Sequence, residues 1–303
     1  MSVDTRVTVG SVELRHPVMT ASGTAGYGTE FAPYFDLASI GAVVTKSIAP
    51  FEWAGNAAPR VHPTPQGMIN AVGLQGPGID HWLAHELPAL TATGATVVCS
   101  IWGRSVDDYR RAAEMLADAP PHVVAVEVNL SCPNLEGRGG IFAHDVELST
   151  AVIAATAACG RPRWAKLSAN TDRIVEVAGA CHAAGAEAVT LINTLLGLTY
   201  DRETLRPSLG NGGGGLSGRA IHPVAVRAVH DVRLAHPDLP VIGVGGIASG
   251  WDAIEMMVAG AHAVQVGTAS FADPRACVRI ADEMVTFATE RGMARLADCN
   301  AVV

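Results

Sequence analysis

The stretch Val123-Val124-Ala125-Val126-Glu127-Val128-Asn129-Leu130-Ser131-Cys132-Pro133-Asn134 decides the reading of this chain. Its first half, Val123 to Val128, is a β-branched run of the kind that forms a strand buried on both faces. Pro133 stops the backbone beyond it from continuing as regular structure. A single cysteine is most often a small core residue. Cys132 instead stands between two asparagines in a polar loop at a strand's end. There a thiol can exchange protons and amides can recognise a planar polar ligand.

Seven further runs of the same type lie on either side: Val18–Ala21, Ala42–Thr45, Thr96–Ile101, Trp164–Leu167, Ala188–Ile192, Val241–Val244 and Ala263–Val266. They are continuously apolar rather than alternating, which suits parallel strands covered on both faces. Amphipathic helical patterns fill several of the gaps. Tyr109, Ala112, Ala113 and Leu116 share one helical face. Ile174, Val177, Ala178 and Cys181 follow a cap expected at Asn170 or Thr171, and Ile254, Met257 and Val258 follow a cap at Ser249. Eight β/α alternations in this length predict a TIM (β/α)8 barrel spanning residues 1–303 as one domain. The rival, a doubly wound sheet, lacks its Gly-x-Gly-x-x-Gly after the first strand.

Composition narrows the function classes. The 303 residues are 49% hydrophobic and 17% charged, as expected of a globule with an extensive core. A formal charge of -8 without a Lys/Arg-rich run argues against nucleic acid as a partner. No apolar run approaches the ~18 residues of a membrane span, and Met1 to Pro17 lacks the apolar core of a signal peptide, so cytoplasmic residence is the expectation. The six cysteines, at 99, 132, 159, 181, 277 and 299, form no Cys-x-x-Cys pair. Cys159, Cys181 and Cys277 sit among alanines and valines at helical spacing and read as core. No metal site is expected, from these cysteines or from the histidines.

In a barrel the active site forms at the C-terminal ends of the strands. The residues there are Ser22-Gly23, Lys46-Ser47, Asn129 with Cys132 and Asn134, Lys166, Asn193-Thr194, Gly245-Gly246 and Gly267-Thr268. Two lysines, three asparagines, a thiol and two glycine turns at one mouth describe an enzyme. Glycines after the last two strands let backbone N–H groups approach an anion, and the helix opened by Ser249 favours negative charge at its start. That corner commonly holds a phosphate in barrels. Neither lysine has an obvious carboxylate partner in the sequence, so a ligand is expected to supply the negative charge. Flavin mononucleotide (FMN) meets both needs, with its phosphate at the glycine corner and its reduced, anionic ring beside Lys166. The asparagines suit a neutral heterocycle with amide edges. A thiol titrating near 8.5 needs only a modest shift to serve as a base. Two Gly/Pro-rich segments complete the mouth. Residues 50 to 80 read as an elaborated loop over it, where Asn70 sits among residues with little other reason to be polar. Residues 199 to 218, with the run Asn211-Gly212-Gly213-Gly214-Gly215, read as a flexible excursion or an ordinary linker.

These residues resemble the class 1 dihydroorotate dehydrogenases, and most closely their type B catalytic subunits. The likeness runs from about Val18 to Pro274. It rests on Asn-Leu-Ser-Cys-Pro-Asn (129–134), Gly-Met-Ile-Asn-Ala-Val-Gly-Leu-Gln (67–75), Ile-Asn-Thr-Leu-Leu-Gly (192–197), Gly-Gly-Leu-Ser-Gly (214–218) and Gly-Val-Gly-Gly-Ile (243–247). The membrane-associating extension and serine base of class 2 relatives are absent from this pattern. The resemblance implies Cys132 as the base that takes the C5 proton of dihydroorotate while hydride passes from C6 to the flavin. It implies orotate contacts from Lys46, Asn70, Ala71, Val72, Gly73, Leu74, Asn129, Asn134, Asn193 and Thr194. For FMN it implies Ser22, Lys46, Ser47, Asn129, Lys166, Ile192, Gly218, Gly245, Gly246, Gly267 and Thr268. Ser100 stands where type B chains commonly carry asparagine, and Ala169 where they usually carry proline.

The resemblance further implies pyrimidine (UMP) synthesis as the setting. Electrons would leave to NAD+ through a partner subunit carrying FAD and a [2Fe–2S] cluster. The assembly would be a heterotetramer, two of each chain, on a homodimer core. The alternatives are a fumarate-linked type A enzyme, which is a homodimer, and a dihydropyrimidine-dehydrogenase-like reductase. A non-catalytic phosphate-binding barrel would have no need of Cys132.

Overall fold

The computed structural model describes residues 3–131 and 141–300, so Cys132, Pro133 and Asn134 lie outside the described residues. Eight strands form one sheet: β1 Val18–Thr20, β2 Val43–Val44, β3 Val97–Ile101, β4 Val123–Asn129, β5 Arg163–Lys166, β6 Ala188–Leu191, β7 Val241–Val244 and β8 Ala263–Val266. Strands run parallel to their neighbours in the order β1-β8-β7-β6-β5-β4-β3-β2. The two ends meet. Met19 bridges Ala42, Thr20 N donates to Ala42 O at 3.2 Å, and Gly41 N donates to Val18 O at 2.8 Å. The sheet is therefore a closed barrel, and each predicted run falls on one of its strands.

The helices lie where their apolar spacing puts them. Val106–Met115 is capped by Ser105 and buries Tyr109, Ala112 and Ala113; Gly250–Val258 is capped by Ser249 and buries Ile254 and Met257. The helix Ile174–Ala183 buries Val177, Ala178 and Cys181, but its cap differs from expectation. Arg173 takes the N-cap position without a side-chain bond, because the Asn170 side chain is engaged elsewhere: its amide donates to Ser168 Oγ at 2.9 Å and Thr194 O at 3.0 Å. An antiparallel hairpin not apparent in the sequence, Val7–Val9 with Val12–Leu14, adds Val7, Val9, Val12 and Leu14 to the barrel core. Cys159, Cys181 and Cys277 are core residues, as read.

The two Gly/Pro-rich segments are more ordered than loops. Strands Leu195–Gly197, Gly214–Ser217, Gly67–Asn70 and Val61–Thr64 pair in that order as a four-stranded antiparallel sheet. The four-glycine run thus leads into an inner strand of a lid, not a linker. Glycine is required there by close approach: a Cβ at Gly215 would stand 2.1 Å from Thr194 Oγ1, and one at Gly214 would stand 2.4 Å from Asn70 O. Among the described residues, no helix is long and apolar enough to cross a membrane.

Candidate active site

A cavity of about 640 Å³ opens at the C-terminal ends of the barrel strands, beneath the lid sheet. That volume lies within the usual range for a small-molecule site. Every described residue of the predicted substrate and cofactor sets lines it. Cys132 and Asn134 fall outside the described residues.

On the β1–β2 side, Ser22 and Ser47 meet with hydroxyls 3.0 Å apart, and both reach Ser100 Oγ, at 3.2 and 2.9 Å. Ser100 is fully buried and does not line the cavity; it anchors the two serines that do. Lys46 Nζ donates to the Gln75 carbonyl and lies 5.6 Å from the Tyr27 ring centre. Burial, with the charge of Arg60 adding to it, pushes the Lys46 ammonium down to about 8. The penalty for a half-buried cation is relieved when an anion enters.

Across the middle, the Asn129 side chain at the end of β4 donates through Nδ2 to Ser47 Oγ at 3.1 Å, and its Oδ1 accepts from Asn193 Nδ2 at 3.3 Å and Ser131 N at 3.1 Å. Asn193 in turn accepts from Thr194 N at 2.8 Å. These bonds fix both amides, so their orientation exists before any ligand arrives. On the lid side, residues 70–74 line the cavity. Trp53 Nε1 donates to Gly73 O at 3.0 Å, Asn56 Nδ2 to Ala71 O and Asn56 N to Val72 O, both at 3.1 Å. Leu74 adopts φ 61, a left-handed conformation uncommon for a residue with a side chain.

One expectation is overturned. Lys166, only 4% exposed, does have a carboxylate partner: Glu127 Oε1 lies 3.5 Å from Nζ. Glu127 is fully buried, and also accepts from Gln265 Nε2 at 2.6 Å and Ser100 Oγ at 3.3 Å. The pairing arises because Glu127 stands two residues before Asn129 in β4, on the same face by strand alternation. Lys166 is the register partner of Asn129 on β5. Alternation alone puts Glu127 on the Asn129 face; the β4–β5 register is what sets it beside Lys166. A ligand is thus not needed to keep Lys166 company; the charge is held in place in advance.

On the β7–β8 side the lining is main chain. Gly245 and Gly246 have φ 142 and 69, and Gly218 has φ 97. A Cβ at Gly246 would come within 2.7 Å of His222 Cβ and 2.8 Å of Gly218 O, so only glycine fits this cradle. Thr268 Oγ1 donates to Ser217 Oγ at 2.8 Å; Gly267 and Ile192 complete the wall. The Leu191–Ile192 peptide leading into it is cis.

The other thiols are unsuited to proton transfer: burial pushes Cys99, Cys181 and Cys277 up to about 12. His81 and His85 do stand four residues apart, the spacing of a two-histidine metal helix, with ring centres 4.4 Å apart. Neither lines the cavity, and among the described residues no group of three or more His, Cys, Asp or Glu is placed to hold a metal ion.

Fold and site together define a (β/α)8-barrel protein whose mouth presents fixed amides and lysines on one side and a glycine cradle on the other. The chain belongs to the dihydroorotate dehydrogenase family, whose model matches residues 5–287. It is 49% identical over 292 residues to the protein named dihydroorotate dehydrogenase B (NAD(+)), catalytic subunit, of Trichlorobacter lovleyi, covering 96% of this chain and 95% of that one. Proteins of the same name from Geotalea uraniireducens and Geobacter sulfurreducens are 47% and 46% identical over the same shares. Within the family it stands with the class 1, type B catalytic subunits.

Proposed function

We propose that this chain is the catalytic subunit of an NAD-linked dihydroorotate dehydrogenase, oxidising (S)-dihydroorotate to orotate in pyrimidine synthesis in the cytoplasm. The observation that carries the reading is the gathering, in one cavity, of fixed amides, Lys46, the Lys166–Glu127 pair and a glycine cradle.

The cradle fits FMN: glycine is obligatory where the backbone would close on a phosphate, and a buried cation stands ready across the cavity. Gly218, Gly245, Gly246, Gly267 and Thr268 would hold the phosphate end. Ser22, Lys46, Ser47, Asn129, Lys166 and Ile192 would hold the ring. When bound, FMN supplies the acceptor for the hydride that leaves C6 of the substrate. Asn129, Asn134, Asn193 and Thr194 orient the flat heterocycle through paired donors and acceptors, with residues 70–74 closing over it. Lys46 binds its negative edge. Cys132 takes the C5 proton as the C5–C6 double bond forms. A thiolate with a pKa near neutrality suits that step, and the other thiols described are too deeply buried to compete. Lys166, braced by Glu127, presents fixed positive charge where negative charge develops.

The relatives are named as catalytic subunits. That name fits the proposed division of labour, in which a second subunit carrying FAD and a [2Fe–2S] cluster would receive the electrons, in an assembly of two of each chain on a homodimer of this one. Steady-state assays test this. The lone chain should oxidise dihydroorotate with artificial acceptors and reduce NAD+ poorly, and co-expression with the iron–sulfur flavoprotein should confer NAD+ reduction. Rapid fumarate turnover by the lone chain would overturn the NAD-linked assignment.

A further inference from the structure

Behind the glycine cradle sits a histidine that the reaction does not use. His222 opens the helix His222–Ala235 and is nine-tenths buried. Its Nδ1 lies 2.8 Å from Gly245 O and its Nε2 lies 3.0 Å from Glu255 Oε2. The Gly245 carbonyl can only accept, so the hydrogen bond on that side places a proton on Nδ1. Glu255 belongs to the neighbouring helix Gly250–Val258. One imidazole therefore ties two helices to the end of β7.

We infer that His222 is a positioning residue for the phosphate end of the flavin, acting through the Gly245–Gly246 peptide. In a planar trans peptide the C=O and N–H point in opposite directions. Holding the Gly245 carbonyl back toward His222 turns the Gly246 N–H the other way, toward the cavity that Gly245 and Gly246 line. Neither glycine can hold that orientation by intrinsic preference. Both have φ values open to glycine, at 142 and 69, and glycine is the most freely rotating residue. Contact reinforces the bond, since the space where a Gly246 Cβ would stand is bounded by His222 Cβ at 2.7 Å. The brace thus fixes the donor before the anion arrives, which lowers the ordering cost of binding.

The inference rests on the proposed flavin site, and the test separates the two. FMN and riboflavin differ only in the phosphate, so the ratio of their affinities for the full-length chain stripped of flavin reports on the phosphate corner alone. Wild type should prefer FMN. His222→Ala should lower FMN affinity roughly three- to tenfold, the worth of one hydrogen bond, and leave riboflavin affinity unchanged. His222→Asn should restore the preference, because its amide N–H can reach the same carbonyl. An unchanged ratio in His222→Ala, or no recovery in His222→Asn, would overturn the brace while leaving the flavin site standing. A wild-type chain that binds neither flavin, or both equally, would remove the phosphate site and the role of His222 with it.

Discussion

The β1–β4 side of the mouth and the β7–β8 side hold their proposed ligand by different means. The first works with side chains: Lys46, Ser22, Ser47 and Asn129 reach into the cavity, with Ser22, Ser47 and Asn129 joined through Ser47 and Lys46 held by the Gln75 carbonyl. The second works with backbone, shaped by Gly218, Gly245 and Gly246 and anchored from behind by His222. Lys166 lies between them on β5, its charge held by Glu127 beneath the cavity floor. The contrast fits the roles proposed for the two halves. Recognising a heterocycle and moving its protons needs varied chemical groups, whereas a phosphate needs only N–H donors at short range. Substitutions on the first side should therefore change rate and pH dependence, and those on the second should change cofactor retention.

The largest effect is expected at Cys132, which lies outside the described residues. Cys132→Ala should slow reduction of the bound flavin by dihydroorotate about 10²–10⁴-fold in rapid-mixing experiments, with orotate still binding. In wild type the same rate should rise with pH as the thiol loses its proton. A Cys132→Ala chain that reduces its flavin at the wild-type rate would show that another group is the base.

The Lys166–Glu127 pair joins the walls and should matter for stability as well as chemistry. Lys166→Ala leaves a carboxylate that is 0% exposed without its cation, a change that costs about 3–5 kcal/mol in comparable pairs. Urea unfolding should show that loss, and adding Glu127→Gln should recover much of it, since the neutral amide no longer needs a cation. Full stability in the single variant would contradict the buried pair.

Lys46 gives the smallest and most graded effect. Its ammonium is pushed down to about 8 in the free site, so the charged form that attracts an anion prevails below that pH and is lost above it. Orotate affinity should be highest below about pH 8 and weaken by up to tenfold per unit above it. Lys46→Met should flatten the profile. An affinity that rose through this range would reverse the sign and exclude Lys46 as the anion's partner.

The barrel was legible in the sequence because parallel strands covered on both faces leave continuous apolar runs, and all eight runs became strands. The site was legible where residue type carries chemistry, as at Lys46, Asn129 and Asn193, or where glycines cluster after a strand. What stayed hidden depends on pairing across the fold. Glu127 reads as an oddity in a buried strand until the β4–β5 register sets it beside Lys166. The lid sheet was hidden because its strands are short, and one opens with two glycines, a residue depleted in strands. Asn170 looks like a helix cap by position, yet its side chain joins the mouth. Nothing in the local sequence announces the cis peptide before Ile192.

The most direct test of the account is an anaerobic titration of the purified lone chain with dihydroorotate, followed in the visible spectrum. The account predicts a yellow protein holding one FMN per chain that bleaches fully on adding one equivalent of dihydroorotate, with orotate as the product. A colourless protein that cannot be reconstituted with FMN, or a yellow one that stays oxidised in the presence of dihydroorotate, would contradict it.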